Sequence, residues 1–257
     1  MANINGTAIR FQVMGGLMDK NLSKIVQKLS AASGANLQSM ALYGSAASGE
    51  FLPKHSDLNL LCLLRCIDPA ELRKLKASVR WWARKGHPAP LLFTLEELVR
   101  AADLYAIELL EIKSHRRMLY GPDVFESIEV PMTLHRHQVE RELRHSLIRI
   151  RQGYVPAAGD DKALRKLMLR SVSTFSLLFT HALIVLGEQA PSTKLEAVKR
   201  LAALLGFDDS SFVTLLAIRR GENPGKGLDL ERLFNSYLSS ITQVVDEIDR
   251  RFDQLSH

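Results

Sequence analysis

Four residues, two on either side of one loop, carry the first chemical signal in this chain. In LYGSAASGEFLPKHSDLNLLCLL, residues 42–64, Gly44 and Ser45 stop one apolar run, and Asp57 and Asn59 open the next. Glycine lets a backbone approach a ligand closely. A serine hydroxyl and the amides beside it can hold phosphate oxygens. Side chains alternate along a strand, so Asp57 and Asn59 project to one face. An aspartate there can bind Mg²⁺, a hard ion that usually keeps phosphate oxygens in its shell. Glu108 is the first carboxylate of a later apolar segment, YAIELLEIK, which reads as a strand within pairing range of the 57–64 strand. Asp57 and Glu108 together would form the metal end of a phosphoryl-transfer site. Plainer readings stand beside these. Gly44-Ser45 can be an ordinary turn, Asp57 a strand-start cap, and Glu108 a solvent-facing residue at a sheet edge. Lys54 and His55 read as solvated loop residues before Asp57.

The stretch 42–64 resembles the signature of the nucleotidyltransferase superfamily, the polymerase-beta-like fold. That signature is a hydrophobic residue, Gly, then Ser or Gly, a spacer, then Asp-hydrophobic-carboxylate-hydrophobic. AIELLEIKSHRRMLYG is similar to the segment carrying the family's third carboxylate, which places Glu108 in that role and Glu111 on the opposite strand face. The resemblance implies a protein that binds an NTP, ATP by preference, with Mg²⁺ as cofactor. Gly44, Ser45 and Asn59 would meet the nucleotide, Asp57 and Glu108 would be the catalytic and metal-holding residues, and the nucleotidyl group would pass to an acceptor not legible in the sequence. Asn59 departs from the pattern, because its neutral carbonyl replaces a charged ligand. Two functions therefore stay open: a transferase of phosphorus-containing groups, slowed by Asn59, and a catalytically degenerate nucleotide-binding or regulatory protein of the same fold.

The elements that must position these residues follow from periodicity. Residues 17–32 space Leu17, Leu22, Ile25, Val26 and Leu29 as on one helical face. SMALYG and DLNLLCLL read as strands. Asp68-Pro69 opens a helix to about Lys85, with Asp68 as N-cap. PLLF is a short strand, and Thr94 with Glu97 fits a capping box. YGPDVF is a turn, and surface charge is the default for His115, Arg116 and Arg117. The expected class is α+β: a small mixed sheet with flanking helices over residues 1–130, then an all-α antiparallel bundle over 131–257. GENPGKG is the clearest loop, and the helix after it is expected to be the longest. His181, inside LLFTHALIVLG, is expected to be a hydrogen-bonded core histidine.

Composition narrows the class. The 257 residues are 46% hydrophobic and 24% charged, with a net charge of +6, ordinary for a globular protein. No unbroken apolar run reaches the ~20 residues of a membrane span, and the N-terminus lacks a secretory pattern. Cys62 and Cys66 are read as reduced core residues, which fits a cytoplasmic protein. The densest basic run is 136–170, with nine Lys/Arg against four Asp/Glu, and it reads as solvated helix faces. The positive charge is compatible with nucleic acid but no motif indicates one, and the bundle is a surface on which a homodimer could form.

Overall fold

The computed structural model describes residues 4–49, 57–132, 134–223, 225 and 227–254, with side chains from Met18 to Phe252 within those ranges. Lys54 and His55 lie outside the described residues. The chain divides into two compact units, Met1–Val130 and Pro131–His257.

In the first unit, α1 (Ile4–Ser33) leads into β1 (Leu37–Tyr43), and β2 (Asn59–Leu64) follows the Gly44 loop. Then come α2 (Pro69–Ala83), β3 (Leu91–Phe93), α3 (Leu95–Arg100), α4 (Ala106–Ser114) and β4 (Arg116–Tyr120). The sheet order is β3-β2-β1-β4. β1 pairs antiparallel with β2 and β4, and β2 pairs parallel with β3 across the α2 crossover. β1 and β2 read as near-continuous apolar runs because both sheet faces are covered. On one face, Met40, Leu42, Leu60 and Cys62 pack on Leu22, Ile25 and Leu29 of α1 and on Leu75 and Trp82 of α2. On the other, Ala41, Leu61 and Leu63 meet Leu98 of α3, Leu109 and Ile112 of α4, and Phe125. The expected start of α2 holds: Asp68 accepts from the backbone N–H groups of Ala70 and Glu71 at 2.8 Å. So does the capping box, in which Thr94 Oγ1 accepts from Glu97 N–H at 3.1 Å and Glu97 Oε2 from Thr94 N–H at 2.8 Å.

Two expectations for this unit are corrected. YAIELLEIK is not a strand: residues 106–114 form α4. Ala106, Leu109 and Ile112 are buried at three-residue spacing, a helical period, and the segment is rich in helix formers. Glu108 and Glu111 therefore sit three apart on one side of a helix, not on opposite faces of a strand. The edge strand is instead RRMLY, whose Arg116, Arg117 and Met118 pair with Tyr43, Leu42 and Ala41. Gly121 ends it at φ +70°, where an added Cβ would lie 2.0 Å from the Gln38 carbonyl oxygen. Cys62 is buried as expected, but Cys66 is exposed. Asn36 Oδ1 accepts from the Cys66 backbone N–H at 3.0 Å.

The second unit is a bundle of α5 (His135–Tyr154), α6 (Asp161–Val185), α7 (Lys194–Leu205), α8 (Ser210–Arg220) and α9 (Leu230–Gln254). α9 has 25 residues, as does α6, so the last helix shares the greatest length in the bundle. Its core is aromatic: Phe179, Phe212 and Tyr237 stack edge to face or tilted, with ring centroids 5.0 Å and 4.7 Å apart in sequence along that chain of contacts. α6 is long and apolar enough to cross a membrane by length and composition, with 56% of its most apolar window buried inside the protein. His181 is a buried, hydrogen-bonded core residue, with Nδ1 3.0 Å from Nε2 of buried His135.

Candidate functional site

Gly44, Ser45 and Asn59 gather at the end of the sheet where β1 stops. Gly44 has φ +74°, a conformation that costs other L-residues strain. It starts a single 3-10 turn, Gly44–Ala46, whose carbonyl at Gly44 accepts from the N–H groups of Ala47 at 2.9 Å and Ser48 at 3.1 Å. The leading amides of such a turn have no partner within it. Ser45 sits in this turn, half-buried.

Asn59 faces the turn. It is the register partner of Tyr43, and in an antiparallel pair directly opposed side chains share a face. A Cβ on Gly44 would stand 3.2 Å from Asn59 Nδ2, so the amide closes over the glycine. Glu108 lies exposed on α4. The Tyr43 hydroxyl is pushed up to about 12 by burial, with the Glu108 charge adding to the shift. Gly44 and Asn59 thus stand together beside Tyr43, while the Glu108 charge bears on the Tyr43 hydroxyl from a helix and not from the expected strand.

Asp57 stands two residues before Asn59, ahead of the ladder and exposed. Its charge acts on His87, whose pKa is lowered by burial and partly restored by Asp57. The Leu58 N–H donates to His87 Nδ1 at 3.4 Å, and the His87 ring packs on Trp82 with centroids 4.3 Å apart. With Nδ1 accepting, the neutral ring carries its proton on Nε2. Sequence reasoning missed His87. It lies 29 residues from Leu58, and its local context, GHP, gives only a helix end.

Arg116 follows Tyr43 in the cross-strand row, but it is clamped rather than free. Its guanidinium bonds Asp123 at 2.8 Å and Glu126 at 2.6 Å, with only 12% of the side chain exposed. Its charge is consumed in tying β4 to the following loop, so the surface-charge reading of Arg116 is corrected. Arg117 pairs with Asp19 at 3.1 Å.

Among the described residues, no three His, Cys, Asp or Glu side chains stand together as a metal-holding group. The donor set therefore does not make a preformed cage.

No family model and no curated protein sequence matches the chain. Among solved structures, a spectinomycin adenyltransferase from Enterococcus faecialis, crystallised with ATP and spectinomycin, is similar over 89% of this chain and 98% of its own, with 13% identity and a TM-score of 0.56. A toxin–antitoxin structure with AMP-PNP aligns with 48% of this chain and 93% of its own, at 17% identity and a TM-score of 0.31. The chain therefore shares the fold of that adenyltransferase: a small mixed sheet with flanking helices followed by a helical bundle.

Proposed function

We propose that the chain binds an NTP, ATP by preference, with Mg²⁺, and transfers its nucleotidyl group to an acceptor hydroxyl. The reading is carried by the left-handed Gly44 turn with the Asn59 amide closed over it beside Tyr43, in a fold it shares with an adenyltransferase crystallised with ATP. The Gly44–Ala46 turn would receive the β- and γ-phosphates. Asp57 and Glu108 would hold the metal, which supplies charge neutralisation at the phosphates. Glu108 would also take the proton of the acceptor hydroxyl as its oxygen attacks the α-phosphorus. The bond from that phosphorus to the bridging oxygen breaks, and pyrophosphate leaves. The half-buried Asn59 amide orients a phosphate rather than neutralising it.

A second reading follows from Asn59 itself. With one anionic ligand absent, the site binds nucleotide but turns it over slowly or not at all, and the protein acts through partners, including a second copy of itself. Under either reading the chain is proposed to work in the cytoplasm, where the exposed Cys66 thiol stays reduced.

Calorimetric titration with ATP, with and without Mg²⁺, tests the site, and transfer from labelled NTPs tests the chemistry. Under the transferase reading, Asn59→Asp raises turnover by about 10²-fold or more, the scale of one lost transition-state ligand. If Asn59→Asp binds ATP more tightly yet transfers nothing, the degenerate reading stands. If neither native protein nor variant binds nucleotide, both readings fail.

A further inference from the structure

The helical layer α1–α2 carries a feature unconnected to the nucleotide site. The Nζ atoms of Lys24 and Lys28 on α1 and of Lys85 just past α2 converge on the Trp81 ring, at 5.7, 5.7 and 5.9 Å from its centroid. Lys24 and Lys85 are exposed, while Lys28 and Trp81 are half-buried. Among the described residues none of the three lysines pairs with a carboxylate: Asp19 is engaged by Arg117, and Glu71 by Lys74. Residues 18–33 and 68–85 together hold nine Lys/Arg and three Asp/Glu. Their excess equals the whole chain's net charge of +6, so the rest of the chain sums to zero.

From this we infer that the outer face of α1 and α2 binds a single-stranded nucleic acid through its phosphates. Lys20, Lys24 and Lys28 recur every fourth residue, about 6 Å apart along the helix axis. A ladder of compact ammonium charges suits a ligand that repeats one anionic group, whereas discrete carboxylates of an acidic protein favour the planar fork of arginine. Trp81 gathers three ammonium groups in advance and leaves part of its ring at the surface, beside the bases of a strand lying on the ladder. An anionic membrane would need apolar anchors around that ring. On the described parts of α1 and α2, Leu72 is the one exposed large hydrophobic side chain, at 40%.

The test is fluorescence anisotropy of the full chain with labelled DNA and RNA strands of roughly 20 nucleotides, longer than one site. Salt is varied between about 50 and 200 mM. The native chain is expected to bind with affinity that falls with salt. Lys24→Gln/Lys28→Gln/Lys85→Gln should weaken binding at least tenfold and flatten the log–log salt slope by about 2, since each phosphate contact contributes ~0.7 on a single strand. Lys24→Arg/Lys28→Arg/Lys85→Arg should retain binding and show that the fold survives substitution here. Lys162→Gln/Lys166→Gln/Arg170→Gln removes the same charge from exposed positions of α6 and should leave affinity and slope unchanged. The inference is overturned if the native chain binds neither strand, if the two Gln triples weaken binding equally, or if the face binds phosphatidylserine vesicles but no strand. None of these outcomes bears on ATP titration, so this site and the nucleotide site stand or fall separately.

Discussion

At Gly44 the backbone conformation and the space above it make separate demands. A side chain there would have to hold φ +74° and also displace the Asn59 amide from 3.2 Å. The first demand costs about 1–2 kcal/mol for an L-residue. The second acts on the proposed phosphate contact. Gly44→Ala is therefore expected to lower stability by about 1–2 kcal/mol and to abolish ATP binding measured by calorimetry. A loss of stability with ATP affinity intact would remove the turn from the nucleotide site. Glu108→Gln isolates charge from shape. It should leave the fold unchanged, since Glu108 is an exposed α4 residue. It should also lower the titration midpoint of Tyr43, read by ultraviolet difference spectroscopy, because the Glu108 charge contributes to holding that hydroxyl up. A Tyr43 midpoint that does not move would place Glu108 away from the group around Tyr43.

Local chemistry decided which elements were legible. The α2 start and the Thr94–Glu97 box were readable because caps are built from residues adjacent in sequence. α4 and β4 were not, because their identities are set by partners far away. Tyr105, Ile107 and Leu109 alternate well enough to read as a strand, while the buried set Ala106, Leu109 and Ile112 becomes visible only once the Leu61–Leu63 face is in place. RRMLY opens with two arginines and reads as surface, yet pairing with β1 and the Arg116 clamp to Asp123 and Glu126 hold it as a strand. Gly121 should matter more to this edge than any cap. With the Gln38 carbonyl oxygen 2.0 Å from an added Cβ, Gly121→Ala forces backbone to move and should cost about 3 kcal/mol or more, the range of severe backbone clashes. Thr94→Ala should cost only ~1 kcal/mol. Both tryptophans lie in this unit, so denaturant midpoints followed by tryptophan fluorescence rank the two directly. Equal midpoints would contradict the close approach at Gly121.

Over the whole molecule, charge and burial are distributed in ways a linear reading does not show. The run 136–170 reads as a basic stretch, but two of its arginines are paired, Arg141 with Glu142 and Arg144 with Asp249 and Glu140. The uncompensated charge lies instead on α1 and α2, whose two segments, 18–33 and 68–85, are separated by residues 34–67 in the sequence. A comparable displacement concerns histidine. His181 was legible as a core residue from its apolar neighbours, whereas its partner His135, in the polar stretch LHRHQ, was not. The two buried rings meet edge to face at 3.0 Å between nitrogens. Burial, with His181 adding to it, pulls His135 down to about 4. In the unfolded chain His135 takes a proton near 6.5. Its lowered folded value means the unfolded state binds the extra proton between those limits. Stability is therefore full above about pH 6.5 and falls as pH drops toward 4, by at most about 1.4 kcal/mol per pH unit for one proton. His135→Gln is expected to flatten that portion of the profile even though it lowers stability at neutral pH. Far-UV dichroism should report it, because the bundle is all helix, while tryptophan fluorescence tracks the first unit as an internal reference. A bundle whose melting is indifferent to pH between 6.5 and 4 in the native protein would mean that the imidazole pair is open to water, and the packing of α5 on α6 would need revision.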